Sequence, residues 1–226
     1  MEALGLDVLL NGSNAVRLLA GLGTSLTVAV ASLALSVPLG LLLGVVMTSR
    51  IPAVRVVCRL YLETVRIVPQ LVLLFVAFFG STRVLRLDVS AEAASVAVFT
   101  FWGTAELGDL VRGALASVPA AQYDAARALG LRRGQVLGLV VVPLALRRLV
   151  PQAVNLATRI VKTTSLVMMI GVVEVMKVGQ QIVEANRTTS PNAVFGVYGA
   201  LLLLYFLACW PLSVLASRLE KRWDTR

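Results

Sequence analysis

The stretch LLAGLGTSLTVAVASLALSVPLGLLLGVVMTS, residues 18–49, contains no charged side chain. An α-helix needs roughly 20 apolar residues to cross a bilayer core about 30 Å thick. The stretch is therefore long enough for a complete crossing, and it is too long for the apolar core of a signal peptide. No small-residue cleavage site follows it, so we interpret it as a retained membrane helix. Within it, Gly40 and Gly44 form a GxxxG spacing, which permits the close approach of another helix.

The composition of the whole chain also indicates a membrane protein. Of the 226 residues, 58% are hydrophobic and 15% are charged, and the mean hydropathy is +0.86. An ordinary soluble domain is less apolar than this. The net charge of +9 fits the excess of Lys and Arg in the cytoplasmic loops of membrane proteins, and no aromatic and basic face suggests nucleic-acid binding.

Few residues in the chain suit catalysis or metal binding. There is no histidine, and the two cysteines, Cys58 and Cys209, lie in or beside apolar segments, so we expect neither a metal site nor a disulfide framework. Neither HExxH nor GxSxG occurs. Tyr-Asp at 123–124 is half of an intramembrane aspartyl protease signature, but Glu-Leu-Gly-Asp at 106–109 lacks the first glycine of the other half. We therefore expect no enzyme active site.

The alternation of apolar and charged segments predicts an all-α polytopic protein with five crossings, near residues 20–48, 67–82, 91–112, 149–173 and 195–217. The fourth crossing has an alternative window, 134–158, which would place Arg147 and Arg148 at mid-membrane. The chosen window places only Lys162 there. Each central Arg or Lys costs about 2.5–3.5 kcal/mol, which decides the choice. Residues 131–146 are then expected at the cytoplasmic surface.

The entry to the second crossing carries charges at helical spacing. Glu63 lies four residues after Arg59 and three before Arg66, so it can form an ion pair with either. Pro69 is expected within the crossing, because neighbouring helices can accommodate a proline there.

The distribution of Lys and Arg sets the orientation. Segments 49–66, 112–148 and 218–226 hold most of these residues, whereas segment 1–16 holds none. The positive-inside rule therefore places the N-terminus outside and the C-terminus in the cytoplasm. Residues 186–194 are predicted to form a turn-rich outer loop.

Residues 120–135, AAQYDAARALGLRRGQ, form a polar segment of helix-favouring residues on the predicted cytoplasmic side. Pro119 suits a helix start, and Gly130 suits a helix end. Asp124 lies towards the start and Arg127 towards the end, where the helix dipole favours their charges. The segment therefore predicts a short capped helix on which another protein can dock.

This helix resembles the EAA motif of ABC importer permeases, with Asp124, Ala125 and Ala126 standing for Glu-Ala-Ala and Gly130 for the motif glycine. The continuation VVVPLALRRLVPQAVN resembles the proline-spaced part of the motif. ETVRIVPQLVLLF, DLVRGALASVP and VKTTSLVMMIGVVEV are similar to stretches of the polar amino acid uptake branch. These collinear matches cover about residues 20–222.

The resemblance implies a single permease domain over residues 1–226, with the type I ABC importer fold and a cytoplasmic coupling helix. It implies amino acid import across a bacterial-type inner membrane. The implied partners are a dimer of cytoplasmic ABC ATPases, an extracytoplasmic solute-binding protein, and a second copy of this chain or a related permease. The residues implied to contact the ATPase are Tyr123, Asp124, Ala125, Ala126, Arg127 and Gly130. No GxxxxGK[ST] phosphate loop occurs, so ATP and Mg²⁺ are expected on the partner and no cofactor in this chain.

Ionisable residues within predicted crossings are candidates for the solute pathway. Glu106 lies about 9 Å along a helix from Arg112, with Trp102 on the same face and Gly103 beside it. In the fourth crossing the candidates are Arg159, Lys162, Thr163 and Ser165. A zwitterionic amino acid needs an acceptor for its ammonium group, which Glu106 can supply. It also needs donors for its carboxylate, which Arg159 or Lys162 can supply with the two hydroxyls.

Two alternatives remain open at the level of sequence. Glu106 and Lys162 can instead form a structural ion pair between the third and fourth crossings, and such a pair could also open to admit a zwitterion. The solute can also be another small cationic or zwitterionic compound such as an osmolyte. A stand-alone channel is the rival class, but it would need no coupling helix, and no repeated filter sequence occurs.

Overall fold

The computed structural model describes residues 5–84 and 86–223, and in these ranges the chain folds into helices without a β-strand. The helices are α1 (Asp7–Leu10), α2 (Asn14–Met47), α3 (Pro52–Ile67), α4 (Gln70–Arg83), α5 (Ala91–Ala116), α6 (Ala120–Ala128), α7 (Arg133–Val136), α8 (Val142–Thr163), α9 (Val175–Ala185) and α10 (Ala193–Trp223). A π-helical segment, Leu137–Val141, precedes α8, and a 3₁₀ segment, Thr164–Ile170, follows it. The predicted all-α class is confirmed.

Three or four of the five predicted crossings correspond to helices that are long and apolar enough to span a bilayer. In the described residues, Asn14–Met47, Arg133–Ile170 and Ala193–Trp223 are long and apolar enough to cross a membrane, and α3 with α4 adds a fourth if this bent pair is one crossing. The remaining predicted crossing corresponds to α5, whose 26 residues extend about 39 Å. Among the described helices, α5 is not one of those apolar enough to meet the same measure, and it carries Glu92, Glu106 and Asp109.

The chain bends at the start of the predicted second crossing. Helices α3 and α4 meet at 101°. Val68 is extended, and Pro69 occupies the N-cap of α4. A proline has no backbone N–H and disfavours helical geometry in the residue before it, so the first helix ends here. Pro69 therefore stands at the start of α4, within the crossing predicted over residues 67–82.

The fourth crossing belongs to one continuous helical stretch of 38 residues, Arg133–Ile170. The window 134–158 lies within this stretch, and the window 149–173 begins within it and ends three residues beyond it. The boundary predicted near residue 149 is therefore not a helix boundary. Pro143 falls in the first turn of α8, directly after the π-helical segment. Such a local change of hydrogen-bond pattern is a usual way to accommodate a proline in a continuing helix.

The chain forms two compact units, each assembled from three separated stretches. The first unit comprises Met1–Leu33, Pro69–Phe99 and Arg159–Pro211, and the second comprises Ala34–Val68, Thr100–Thr158 and Leu212–Arg226. Four helices, α2, α5, α8 and α10, contribute residues to both units.

Two apolar clusters lie in the described part of the first unit. In one cluster, Leu18 of α2 packs with Val178 of α9 and Val197 of α10. In the other, Val28 of α2 packs with Leu74 of α4 and Phe99 of α5. Helix α9 was not predicted, although Val175, Val178 and Ile182 are all buried and have the spacing of one helix face.

The second unit brings α2 and α5 into close contact. A methyl group added at Gly40 would lie 2.7 Å from Cβ of Leu107, and one added at Gly44 would lie 2.8 Å from the carbonyl oxygen of Gly108. Only a residue without a side chain fits at such distances, so the predicted role of the GxxxG spacing is confirmed.

Candidate coupling helix and solute pathway

The predicted docking helix exists as α6, and both of its ends are stabilised by backbone geometry. Pro119 is extended at the N-cap, and its carbonyl accepts a 3.0 Å hydrogen bond from Gln122 N. At the other end Gly130 has φ +80°. The Gly130 amide donates to Arg127 O and the Leu131 amide donates to Ala126 O, at 2.9 and 3.2 Å. This pair of bonds is the Schellman motif, in which glycine is favoured because the backbone is left-handed.

Most of α6 is exposed. Ala126 is buried and Tyr123 is partly buried, whereas Asp124, Ala125 and Arg127 are exposed. Leu129, directly after the helix, is 81% exposed. The helix thus rests on one small side chain and presents an acid, a base and a large apolar side chain outwards. A partner protein can use such a mixed surface for docking.

Two hydrogen bonds fix the chain around α6. Nη1 of Arg148 donates to Ser117 O at 2.6 Å, which links α8 to the turn before α6. The Arg132 amide donates to Oε1 of Gln135 at 2.9 Å, which closes the start of α7. Helix α6 also packs against α7 and the π-helical segment. These contacts connect α6 to the helical stretch that leads into α8.

The candidates on α5 lie in the second unit. Trp102 and Gly103 are buried, and the Glu106 side chain is 17% exposed. Nε of Arg66 in α3 lies 3.9 Å from Oε1 of Glu106. The sequence had suggested Glu63 as a partner of Arg66. In the described part of the chain, Arg66 instead forms its ion pairs with carboxylates of α5.

Asp109 is the main partner of Arg66, and the sequence analysis missed it. Its Oδ2 accepts a 2.6 Å hydrogen bond from Nη2 of Arg66. Its Oδ1 accepts bonds from Nε and Nη2 of Arg112 at 2.9 and 2.6 Å. One carboxylate therefore joins α3 to α5. The sequence signal was the three-residue spacing of Asp109 and Arg112, but nothing local pointed to Arg66.

The candidates at the end of α8 lie in the first unit. Arg159 and Lys162 are exposed, whereas Thr163 and Ser165 are partly buried. Oγ1 of Thr163 donates to Arg159 O at 2.8 Å, and Oγ of Ser165 donates to Lys162 O at 2.9 Å. Each hydroxyl has one hydrogen to donate. Each must therefore break its hydrogen bond to the backbone carbonyl before it can donate to a solute carboxylate.

The helix changes its winding at these candidates. The 3₁₀ segment starts at Thr164, two residues after Lys162, and ends before Gly171, which has φ +97°. Seven residues are long for a 3₁₀ helix, and such stretches often mark a hinge. Arg159 and Lys162 therefore stand shortly before a segment with a different helical winding.

A buried acid, Glu174, was quoted in the sequence motif but given no role there. It is fully buried and caps α9 by accepting hydrogen bonds from the amides of Met176 and Lys177, both at 2.9 Å. The hydroxyls of Ser25 and Tyr205 donate to the same carboxylate. Burial raises the pKa of Glu174, although these four donors oppose the shift.

Comparison with known proteins places the chain in a family. Residues 36–225 match the family described as the binding-protein-dependent transport system inner membrane component. The chain is 32% identical over 203 residues to the probable glutamine ABC transporter permease protein GlnP of Bacillus subtilis (strain 168), covering 89% of this chain and 91% of that protein. It is 30% identical over 208 residues to the glutamine transport system permease protein GlnP of Escherichia coli (strain K12), covering 91% and 92%.

A solved structure has the same fold. The crystal structure of an amino acid ABC transporter with histidines superposes with a TM-score of 0.82 at 23% identity, covering 91% of this chain and 94% of that one. The chain therefore belongs to the family of membrane components of binding-protein-dependent transport systems, and it has the type I ABC importer fold. It is a transport subunit and not an enzyme.

Proposed function

We propose that this chain is the permease subunit of an ABC importer for polar amino acids. Family membership and the amino acid permeases among its relatives support this function. The observation that carries the mechanism is α6, a helix capped at Gly130 whose outward side chains Asp124, Arg127 and Leu129 are exposed. A stand-alone channel would have no use for this surface.

The partners follow from that assignment. A dimer of cytoplasmic ABC ATPases binds ATP and Mg²⁺ and receives the outward side of α6. A second copy of this chain, or a related permease, completes the pathway, and an extracytoplasmic protein delivers the solute. The N-terminus lies outside and the C-terminus in the cytoplasm, because Arg218, Lys221 and Arg222 end α10.

The transport step uses α6 as a mechanical link. Closure of the ATPase pair on ATP moves α6, and the Arg148–Ser117 hydrogen bond passes that motion to α8. Arg159 and Lys162 lie at the end of α8, where the 3₁₀ segment provides a hinge. Rigid elements that move about such a hinge can alternate access to a solute site.

The solute is held by groups on two helices. Glu106 accepts the ammonium group, Arg159 or Lys162 binds the carboxylate, and Trp102 and Gly103 shape the surface beside Glu106. The hydroxyls of Thr163 and Ser165 act as hydrogen-bond acceptors while they donate to backbone carbonyls of their own helix. They can donate to the solute only after rotating away from these carbonyls. Pairing of Glu106 with Lys162 in the absence of solute is the competing role for the same charges.

The test is reconstitution with the ATPase and the binding protein, followed by measurement of uptake and solute-stimulated ATP hydrolysis across a panel of amino acids. Stimulation by one class of amino acid supports the proposal, and ATP hydrolysis that responds to no solute counts against it.

Asp124→Lys should abolish uptake while Asp124→Glu, which restores the motif acid, retains it. Normal uptake by Asp124→Lys removes the coupling role. Glu106→Gln with unchanged affinity and specificity removes the binding role.

A further inference from the structure

A basic cavity lies in the second unit, and its lining includes none of the residues proposed to bind the solute. It has a volume of about 420 Å³, and its lining includes Arg55, Arg59 and Arg66 of α3 and Arg112 of α5. Glu63 is the one acidic residue in the lining. Four guanidinium groups and one carboxylate favour an anion as the ligand. A zwitterion would be matched by equal numbers of positive and negative groups.

Two of these arginines are already paired, and two are not. Arg66 and Arg112 share Asp109. In the described part of the chain, Arg55 and Arg59 form no ion pair with any carboxylate. They lie one helical turn apart, and both also line a second hollow of about 340 Å³ together with Pro52 and Val56. Arg55 and Arg59 are therefore the groups available to an external anion.

The cavity lies where a membrane span ends. Met47, the last residue of α2, is part of the lining, and α2 contains the uncharged stretch that crosses the bilayer. Next to the arginines, α3 exposes apolar side chains: Val56, Val57 and Leu60 are 56, 65 and 63% exposed. A helix with basic and apolar side chains exposed together suits the boundary between headgroups and acyl chains.

We propose that this cavity binds the phosphate of an anionic phospholipid, with Arg55 and Arg59 as its donors and the acyl chains against Val56, Val57 and Leu60. Arginine presents a planar fork of N–H groups that matches phosphate oxygens in pairs. Basic pockets between membrane helices bind anionic headgroups in this way. The site rests on the membrane placement of the proposed function, but it requires neither solute nor ATP.

The test is lipid retention by the purified permease complex, measured by native mass spectrometry after exchange into phosphatidylcholine with added phosphatidylglycerol. Each basic residue at a membrane surface contributes about fivefold to the binding of anionic lipid, so Arg55→Gln with Arg59→Gln should weaken retention about 25-fold. The matched control is Arg218→Gln with Arg222→Gln, which removes the same charge but lines neither cavity. The control should retain the lipid.

Further arms distinguish the possible occupants. Arg55→Lys with Arg59→Lys keeps the charge, and it should retain lipid better than the glutamine variant while folding normally. Unchanged retention in the glutamine variant, or an equal loss in the control, overturns the proposal. Displacement of the lipid by millimolar inorganic phosphate or by an amino acid also overturns it, because the site would then serve a soluble anion or the solute. A complex that retains the lipid but transports no amino acid contradicts the proposed function alone.

Discussion

The hydroxyl of Ser25 in α2 donates a 3.1 Å hydrogen bond to the carboxylate of Glu174, across 149 positions of sequence. Both residues are fully buried. The same carboxylate caps α9 and accepts a 3.4 Å bond from Tyr205 of α10. One buried acid therefore fixes the start of α9 against two of the long helices of the first unit.

Replacing Glu174 with Ala should destabilise the protein by roughly 2–4 kcal/mol. The helix loses its cap, which is worth about 1 kcal/mol, and the hydroxyls of Ser25 and Tyr205 lose a buried acceptor, which costs about 1–3 kcal/mol. Denaturant titration of the detergent-solubilised chain measures the effect. Glu184→Ala is the control, because that side chain is 74% exposed at the other end of α9 and should change stability by less than about 0.5 kcal/mol. Equal effects of the two substitutions would show that the hydrogen bonds of Glu174 contribute nothing to the free energy of unfolding.

Replacing Gly130 with Ala should weaken coupling without unfolding the membrane helices. A left-handed backbone costs an alanine roughly 1–2 kcal/mol, and no atom lies within 4 Å of the added methyl group, so the backbone alone carries the effect. We expect uptake per ATP hydrolysed to fall and Gly130→Asn to restore part of it, because asparagine tolerates this conformation. Gly134→Ala in α7 should leave the ratio unchanged, since Gly134 has no positive φ and open space around it. A Gly130→Ala protein with the wild-type ratio would contradict the proposed role of the cap.

The Arg66–Asp109 contact should show a measurable coupling energy. A double-mutant cycle with Arg66→Gln and Asp109→Asn isolates the pair. The Arg66 side chain is 46% exposed, so solvent screens the interaction and we expect about 0.5–1 kcal/mol. The stability of the four proteins is read by thermal denaturation at low and high salt. A coupling energy near zero at low salt would mean that the contact does not hold α3 to α5.

Replacing Gly44 with Leu should disrupt the packing of α2 on α5. The added side chain would meet Val111 and the backbone of Gly108, and overpacking of this kind costs about 1–3 kcal/mol or more. Gly23→Leu on the same helix is the matched control, because no atom lies within 4 Å of its added methyl group. Fluorescence-detected size-exclusion chromatography after heating compares the two. Similar melting temperatures of the Gly44→Leu and Gly23→Leu proteins would show that the close approach of α2 to α5 does not constrain the fold.

The sequence predicted elements whose causes are local. The uncharged run over residues 18–49 has the length of a membrane helix, and α2 contains nearly all of it. The short helix at Ala120–Ala128 was predicted from its end residues, and the left-handed Gly130 confirms its cap. Helix propensity, capping and apolar length act within a few turns, so the order of residues determines them.

The bend at Pro69 was decided by the wider structure. The proline was visible in the sequence, but membrane helices also continue through prolines when neighbours supply the lost contacts. Helix α9 was missed because it is shorter than a membrane crossing and its stability depends on Glu174, Ser25 and the apolar residues packed around it. These partners come from distant parts of the chain.

The amino-acid sequence by itself determined that this protein is an all-helical membrane protein with a short capped helix at Ala120–Ala128, because hydrophobic length, charge placement and caps are properties of short segments. Only the tertiary structure decided which polar groups meet: Asp109 with Arg66, and Glu174 with Ser25 and Tyr205. A charge in a weakly polar interior is stabilised by whichever partner the packing brings within a few ångströms. That distance depends on how helices far apart in the chain come together.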